Sequence, residues 1–163
     1  MRKSFLSAWL CTGVVASAIC GTHKLPADEP IAAIDFPNEW QTKELGEGFE
    51  SRSRDGAVRF LVFPVEVHKV AESMGEAMSY LRNTGAIVVQ SESIKREQGK
   101  LNDMSVTNVS WQGKDKKGDV HIRFTIFSLA QGKSLLVAYC SPPDAEKRHQ
   151  RELEKILHSI KQV

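Results

Sequence analysis

The chain has 163 residues, of which 22 are basic, 20 are acidic and 41% are hydrophobic. This length suits one domain with its own core, and a formal net charge of +2 lacks the basic excess of nucleic-acid-binding proteins. The composition therefore favours a single globular domain and predicts no nucleic-acid partner.

The N-terminus has the pattern of a secretory signal sequence. Arg2 and Lys3 precede an uncharged apolar stretch that ends in small side chains. As a helix, this stretch would reach about 21 Å, which is shorter than the roughly 30 Å hydrocarbon core of a membrane. We therefore expect residues 1–18 to be a signal peptide, cut between Ala18 and Ile19, and the mature chain to be periplasmic or secreted. Without Arg2 and Lys3, the remaining 20 basic residues balance the 20 acidic residues.

Cys20 allows two further interpretations. The segment Ser17-Ala18-Ile19-Cys20 is similar to a lipobox, in which the cysteine is lipidated, although Ile19 stands where a small residue is usual. Lipidation of Cys20 is therefore an alternative to free secretion, and it would make the membrane a partner. Cys20 could also form a disulfide with Cys140, but Cys140 ends an apolar stretch, which favours a buried thiol there.

The next segment, residues 19–30, contains two prolines and little periodicity, which indicates a linker ahead of a domain over residues 31–163. The first elements of that domain are expected to be a strand at 31–36, a hairpin of strands at 48–53 and 57–66, and a helix at 68–83. The hairpin is predicted from its Asp55-Gly56 turn, and the helix from apolar side chains at spacings of three and four.

Four strands and a second helix are predicted next: strands at 87–97, 103–113, 120–126 and 134–140, then a helix that Ser141 caps. Val106 and Val109 have opposite parity along their strand, which predicts a bulge or a twist near Thr107-Asn108. The helix is predicted from an apolar stripe of Leu153, Ile156, Leu157, Ile160 and Val163. Tight turns between the strands indicate an α+β fold, with a mainly antiparallel sheet of six to seven strands flanked by helices as an α/β/α sandwich.

Several of these features occur together in one known fold. They are the opening Ile34-Asp35-Phe36-Pro37-Asn38-Glu39-Trp40, the hairpin at Asp55-Gly56, and a closing helix from Ser141-Pro142-Pro143-Asp144 to Ile156-Leu157-His158-Ser159-Ile160. This layout resembles the PsbP/Mog-type fold over about residues 31–162, most closely the exported bacterial DcrB-like proteins. The resemblance implies an antiparallel sheet between helices and a role in binding or assembly, and it transfers no functional residue.

The sequence offers a candidate partner surface and no recognised catalytic pattern. The five histidines are scattered, without metal-ligand spacing, and no glycine-rich loop joins a strand to a helix, so we predict no cofactor. His121, Arg123 and Thr125 share the polar side of one predicted strand. Trp40 either joins this surface or packs against a sheet edge. We expect a non-enzymatic protein that binds another envelope protein or assembles with a complex; a small-ligand carrier, or an enzyme whose pocket joins distant residues, remains the alternative.

Overall fold

The computed structural model describes residues 21–163, so the predicted cleavage site at Ala18 and Ile19, and Cys20, lie outside the described residues. Within that part of the chain there are three α-helices: α1 (Val70–Gly85), α2 (Pro143–Arg148) and α3 (Gln150–Ser159). The strands of the same part are β1 (Thr22–Leu25), β2 (Ala32–Asp35), β3 (Gln41–Leu45), β4 (Gly48–Arg52), β5 (Arg59–Glu66), β6 (Val88–Leu101), β7 (Met104–Lys114), β8 (Asp119–Ser128), β9 (Lys133–Ser141) and β10 (Lys161–Gln162).

Seven of these strands form one antiparallel sheet in the order β3-β4-β5-β9-β8-β7-β6. The strands β1, β2 and β10 form a second, three-stranded sheet. The predicted α+β fold with a mainly antiparallel sheet is therefore confirmed. Among residues 21–163, no helix is long and apolar enough to cross a membrane.

The two faces of the large sheet are covered by different elements. Phe60, Val137 and their neighbours on one face pack against α3 and the small sheet, and we name this the α3 face. Leu61 and Leu136 on the opposite face pack against α1, and we name this the α1 face. Because both faces are covered at the centre, β9 is buried along almost its entire length, as the predicted central strand requires.

The N-terminal part of the fold differs from the prediction. Residues 19–30 were expected to be a linker, but β1 lies within them and pairs antiparallel with β2, and Leu25 is fully buried. The predicted strand at 31–36 exists as β2, but it belongs to the small sheet. Its expected place in the large sheet is taken by β3, which pairs with β4 and whose polar sequence gives no strand pattern.

Of the bulge or twist predicted near Thr107-Asn108, the bulge is wrong. β7 pairs with β8 residue for residue through that point. Val106 and Val109 have opposite parity because Val106 packs on the α3 face and Val109 on the α1 face, and both sites are buried. The irregularity lies instead in β6, where the four residues 91–94 stand opposite the single residue Trp111 of β7.

The predicted C-terminal helix is divided and is shorter than expected. It breaks at His149 between α2 and α3, and the chain turns extended at Ile160. Val163 therefore leaves the apolar stripe and is 62% exposed. Ser141 was expected to cap the helix, but it belongs to β9, and Pro142 is the residue that precedes α2.

Candidate functional site

The α3 face is apolar over one half and polar over the other. Val106 and its cross-strand partner Phe127 lie at the border, next to α3. Further along the same two strands the facing pairs become polar, namely Asn108 with Thr125, Ser110 with Arg123 and Gln112 with His121. Directly paired residues of antiparallel strands point to the same face, so these side chains share one surface.

This polar half forms the floor of a groove with a volume of about 530 Å³. β6 supplies one wall, from which Lys95 and Glu97 line the groove, and Leu101 and Leu157 of α3 also line it. We name it the polar groove. Its size lies within the range of small-molecule sites, and its lining is more polar than such sites usually are.

One carboxylate of α2 holds the cationic end of the polar groove. Glu146 Oε2 lies 2.7 Å from His121 Nδ1, and its Oε1 lies 3.4 Å from the Arg123 guanidinium and accepts a hydrogen bond of 3.2 Å from the Tyr139 hydroxyl. The Arg123 guanidinium also lies over the Tyr139 ring, 5.7 Å from its centre. Burial raises the pKa of Tyr139, so this hydroxyl stays a donor to Glu146. His121 and Arg123 are thereby fixed at the groove while about half of the Arg123 side chain remains exposed.

The four residues of the predicted partner surface do not all lie on one surface. His121, Arg123 and Thr125 line the polar groove, although Thr125 is buried and donates to Asn108 Oδ1 at 2.7 Å. Trp40 is only 6% exposed and its indole N–H donates to Glu152 Oε2 at 3.0 Å. It packs in the core beside α3, because its ring is large and apolar, and so it offers no partner surface.

A second polar cluster lies on the α1 face near β3 and β4. Glu50 is fully buried, and its carboxylate contacts Lys43 at 2.8 Å, Arg52 at 2.7 Å and Arg59 at 3.4 Å. The Tyr80 hydroxyl of α1 donates to it at 2.7 Å. Burial raises the pKa of Glu50, but the hydrogen bonds from Lys43, Tyr80 and Arg52 outweigh it and lower the pKa to about 2. The cluster therefore ties α1 to the sheet edge through a buried ionised group.

A third cluster joins the β4–β5 turn to the break between α2 and α3. His149 Nδ1 lies 2.6 Å from Glu152 Oε2, and its Nε2 lies 3.0 Å from Asp55 Oδ2. Arg148 contacts the same Asp55 oxygen at 3.2 Å, and Ser53 donates to the other at 2.6 Å. Among residues 21–163, no group of three or more His, Cys, Asp or Glu side chains is placed to hold a metal ion. The contacts of Arg148 and His149 with Asp55 join the turn to the helix break, and we name this cluster the polar clasp.

Two side chains close to the polar groove that could act as nucleophiles, Cys140 and Ser141, are buried. Cys140 pairs with Ile122 and lies on the α1 face, opposite to His121, and burial raises the pKa of its thiol to about 11. The expected buried thiol is thus observed, while any pairing with Cys20 lies outside the described residues. Ser141 stands directly opposite His121 but is 2% exposed, and within residues 21–163 its hydroxyl has no hydrogen-bond partner. Neither side chain reaches the groove.

Comparison with solved structures identifies the class of fold. The solution structure of the cyanobacterial PsbP (CyanoP) from Synechocystis sp. PCC 6803 aligns with a TM-score of 0.59 and 9% identity, over 97% of this chain and 99% of its own. LpqN of Mycobacterium tuberculosis, a protein involved in cell envelope biogenesis, aligns with a TM-score of 0.55 and 11% identity, over 88% of this chain and 91% of its own. The chain therefore has a PsbP-like fold, and the PsbP/Mog-like and DcrB-like resemblance is confirmed at the level of the fold.

A longer structure shares the same fold. A crystal structure from Bacteroides thetaiotaomicron aligns with a TM-score of 0.57 and 11% identity over 89% of this chain, which spans about half of that protein, namely 49%. No protein-family model and no curated protein matches the sequence of this chain. The comparisons therefore define an architecture and leave the function to be argued from the site.

Proposed function

We propose that this chain is an exported, non-enzymatic accessory that binds another protein of the cell envelope through the polar groove. The observation that carries the proposal is the polar half of the α3 face, which no element of residues 21–163 covers and where uncharged hydrogen-bonding groups lie beside cations. The other half of this face is covered and apolar, so it forms part of the core, whereas the polar half is solvated. Here Glu146 and Tyr139 instead hold Arg123 toward solvent.

Two further facts bear on the proposal, one on catalysis at Cys140 and one on the compartment. Cys140 is buried with a raised thiol pKa, so it is not a thiolate at neutral pH. LpqN, which shares the fold, is involved in cell envelope biogenesis, and the signal pattern at residues 1–18 would bring this chain to the same compartment. Export and the envelope partner are therefore parts of one proposal.

Site-specific photocrosslinking in the cells that make the protein tests this proposal. A photoreactive side chain at Gln112, which lines the polar groove and is exposed, should give a discrete adduct with one protein. The matched control is the exposed residue Glu76 of α1, on the other side of the sheet, which should give none. Arg123→Gln should reduce the Gln112 adduct several-fold without changing the circular dichroism spectrum. Equal adducts at Gln112 and Glu76, or none at either, would contradict the proposal.

A small-ligand carrier is the second candidate, and the volume of the polar groove, about 530 Å³, favours it. Native mass spectrometry of protein purified from its own cells separates the two. A carrier retains a ligand of fixed mass that Arg123→Gln releases, whereas a protein-binding accessory has the mass of its polypeptide.

The mature N-terminus decides how the protein is held in the envelope. Cleavage between Ala18 and Ile19 leaves a free chain, whereas lipidation makes Cys20 the first residue and adds the mass of its acyl groups. Intact-mass measurement of the exported protein distinguishes the freely exported accessory from a membrane-anchored one that acts in envelope transport or stress handling.

A further inference from the structure

The outer edge of β6 has the geometry of an acceptor for another strand. β6 is the last strand of the large sheet, and within residues 21–163 no strand pairs with its outer side. Residues 95–101 pair with β7 without interruption, so their backbone is regular. Alternate N–H and C=O groups of a regular edge strand point outward and are free to pair. At about 3.3 Å per residue, these seven residues give an edge of roughly 23 Å.

Side-chain hydrogen bonds stabilise the irregularity in β6, and the regular edge begins after it. The Ser93 hydroxyl donates to the Gln90 carbonyl at 2.6 Å and accepts from the Gln112 backbone N–H at 2.7 Å. The side chain thus satisfies a strand N–H that the displaced backbone cannot reach. Ile94, the last displaced residue, is 40% exposed, so it offers an apolar contact where the regular edge begins.

The charges of this edge select the kind of strand that it accepts. Lys95, Arg96 and Lys100 are exposed and outnumber Glu97, and among the described residues none of these four forms an ion pair. Edge lysines repel neutral and basic strands, because pairing would bring them out of water without a partner. A second copy of this edge would bring the same excess of positive charge. An acidic strand would neutralise it.

We propose that the outer edge of β6, residues 95–101, binds an extended acidic segment of the partner protein as an eighth strand of the large sheet. This inference rests on the proposed function, and it specifies that the partner's binding segment is extended and acidic. Lys95 points to the same side as Ser110, so alternate side chains of the added strand lie along the wall of the polar groove. Main-chain hydrogen bonds then provide affinity, and the cations provide selection for Asp and Glu.

Synthetic peptides test the two parts of the inference separately. A fluorescein-labelled peptide of eight alternating Glu and Thr residues should bind the purified mature chain at least tenfold more tightly than its Lys-Thr counterpart, as measured by anisotropy at low salt. The double variant Lys95→Glu with Lys100→Glu should weaken binding of the acidic peptide more than tenfold. The matched control, Lys116→Glu with Lys117→Glu, makes the same charge change in the β7–β8 turn and should have little effect.

N-methylation distinguishes strand addition from simple charge attraction. In an added edge strand, every second peptide N–H faces β6 and the others face solvent. Methylating one alternating set should therefore abolish binding, whereas methylating the other set should not.

Three results would overturn the inference: equal binding by both methylated peptides, no binding of the acidic peptide at millimolar concentration, or dimerisation of the chain in place of peptide binding. If the photocrosslink at Gln112 persists while the peptides fail, only this inference is lost. If the crosslink is absent, the proposed function is lost, whatever the peptides do.

Discussion

Glu50 shows how one buried side chain links the fold to pH. Its carboxyl pKa is about 2 in the folded chain, against 4.5 for the ordinary group, because donors from Lys43, Tyr80 and Arg52 outweigh the effect of burial. A lowered folded pKa contributes stability above pH 4.5. That contribution falls as the pH drops from 4.5 toward 2.

Glu50→Gln should therefore destabilise the fold, since it leaves Arg59 and its neighbours without their counter-charge. We expect the free energy of unfolding in urea to fall by about 3 kcal/mol at pH 7. The gap between variant and native chain should narrow as the pH falls from 4.5 toward 3, because the unfolded native chain then binds a proton at Glu50 that the folded chain does not. Glu92→Gln, an exposed residue of β6, is the control and should change the free energy by less than about 0.5 kcal/mol. A gap that stays constant with pH would contradict the assignment of the charge to Glu50.

His149 gives the opposite dependence on pH. Burial lowers its pKa, but hydrogen bonds to Asp55 and Glu152 outweigh burial and raise the pKa above 6.5. Hydrogen bonds from Ser53 and His149 lower the pKa of Asp55. Stability from a raised histidine pKa is complete below pH 6.5 and is lost as the pH rises through the folded value. Stability from Asp55 is lost as the pH falls below 3.8.

The polar clasp should thus contribute most to the free energy of unfolding between pH 4 and pH 6.5. For His149→Gln, the loss of unfolding free energy between pH 6 and pH 9 should be smaller than in the native chain, as measured by urea denaturation. The exposed residue His68 provides the control, and His68→Gln should change the free energy of unfolding at pH 6 by less than about 0.5 kcal/mol. A native chain equally stable at both pH values would show that the clasp is not charged.

Sequence patterns predicted the helices and strands whose formation depends on neighbouring residues. The hairpin around Asp55-Gly56 is where its turn residues predicted it, and α1 follows its apolar stripe. The break at His149 could not be predicted, because it depends on Asp55, which is 94 residues away in the chain. β3 was missed for the same kind of reason, since its strand state comes from pairing with β4.

The tip of the β6–β7 hairpin is another contact between distant elements. Asn102 and Asp103 have φ values of 52° and 63°, as a two-residue turn with a left-handed backbone requires. The Asn102 amide donates to the carbonyls of Leu157 at 3.0 Å and Ile160 at 2.8 Å, at the end of α3. The hairpin is thereby fastened over the apolar end of the polar groove.

Two variants of Asn102 separate the turn from the contact. Asn102→Gly keeps the left-handed backbone and loses both hydrogen bonds, which should cost about 1.5 kcal/mol in urea unfolding. Asn102→Ala also forces an alanine into that backbone and should cost about 1 kcal/mol more. If Asn102→Gly is as stable as the native chain, the contact with α3 contributes nothing.

For the whole molecule, the polar groove could be predicted only in part. The alternation along β8 was enough to place His121, Arg123 and Thr125 on one face. That no part of residues 21–163 covers this face there depends on where α3 ends, and the role of Glu146 depends on the position of α2. The positions of α2 and α3 on the sheet depend on tertiary packing, so they cannot be predicted from residue spacing in the sequence. Trp40 was ambiguous because an aromatic residue suits a core and a contact surface equally well.

The extent of the folded unit is also a property of the whole molecule. β1 supplies the buried Leu25 and, among residues 21–163, one of the two strands that pair with β2. The other, β10, has only two residues, so it cannot hold β2 alone.

A chain that begins at Ile31 should therefore melt at a temperature roughly 10 °C lower than one that begins at Gly21, because losing a buried leucine costs about 2–5 kcal/mol. The chain from Gly21 should have the same melting temperature as the mature protein, as measured by differential scanning calorimetry. If both melt at the same temperature, β1 does not belong to the cooperative unit. Residues 19–30 would then be the linker that their prolines suggest.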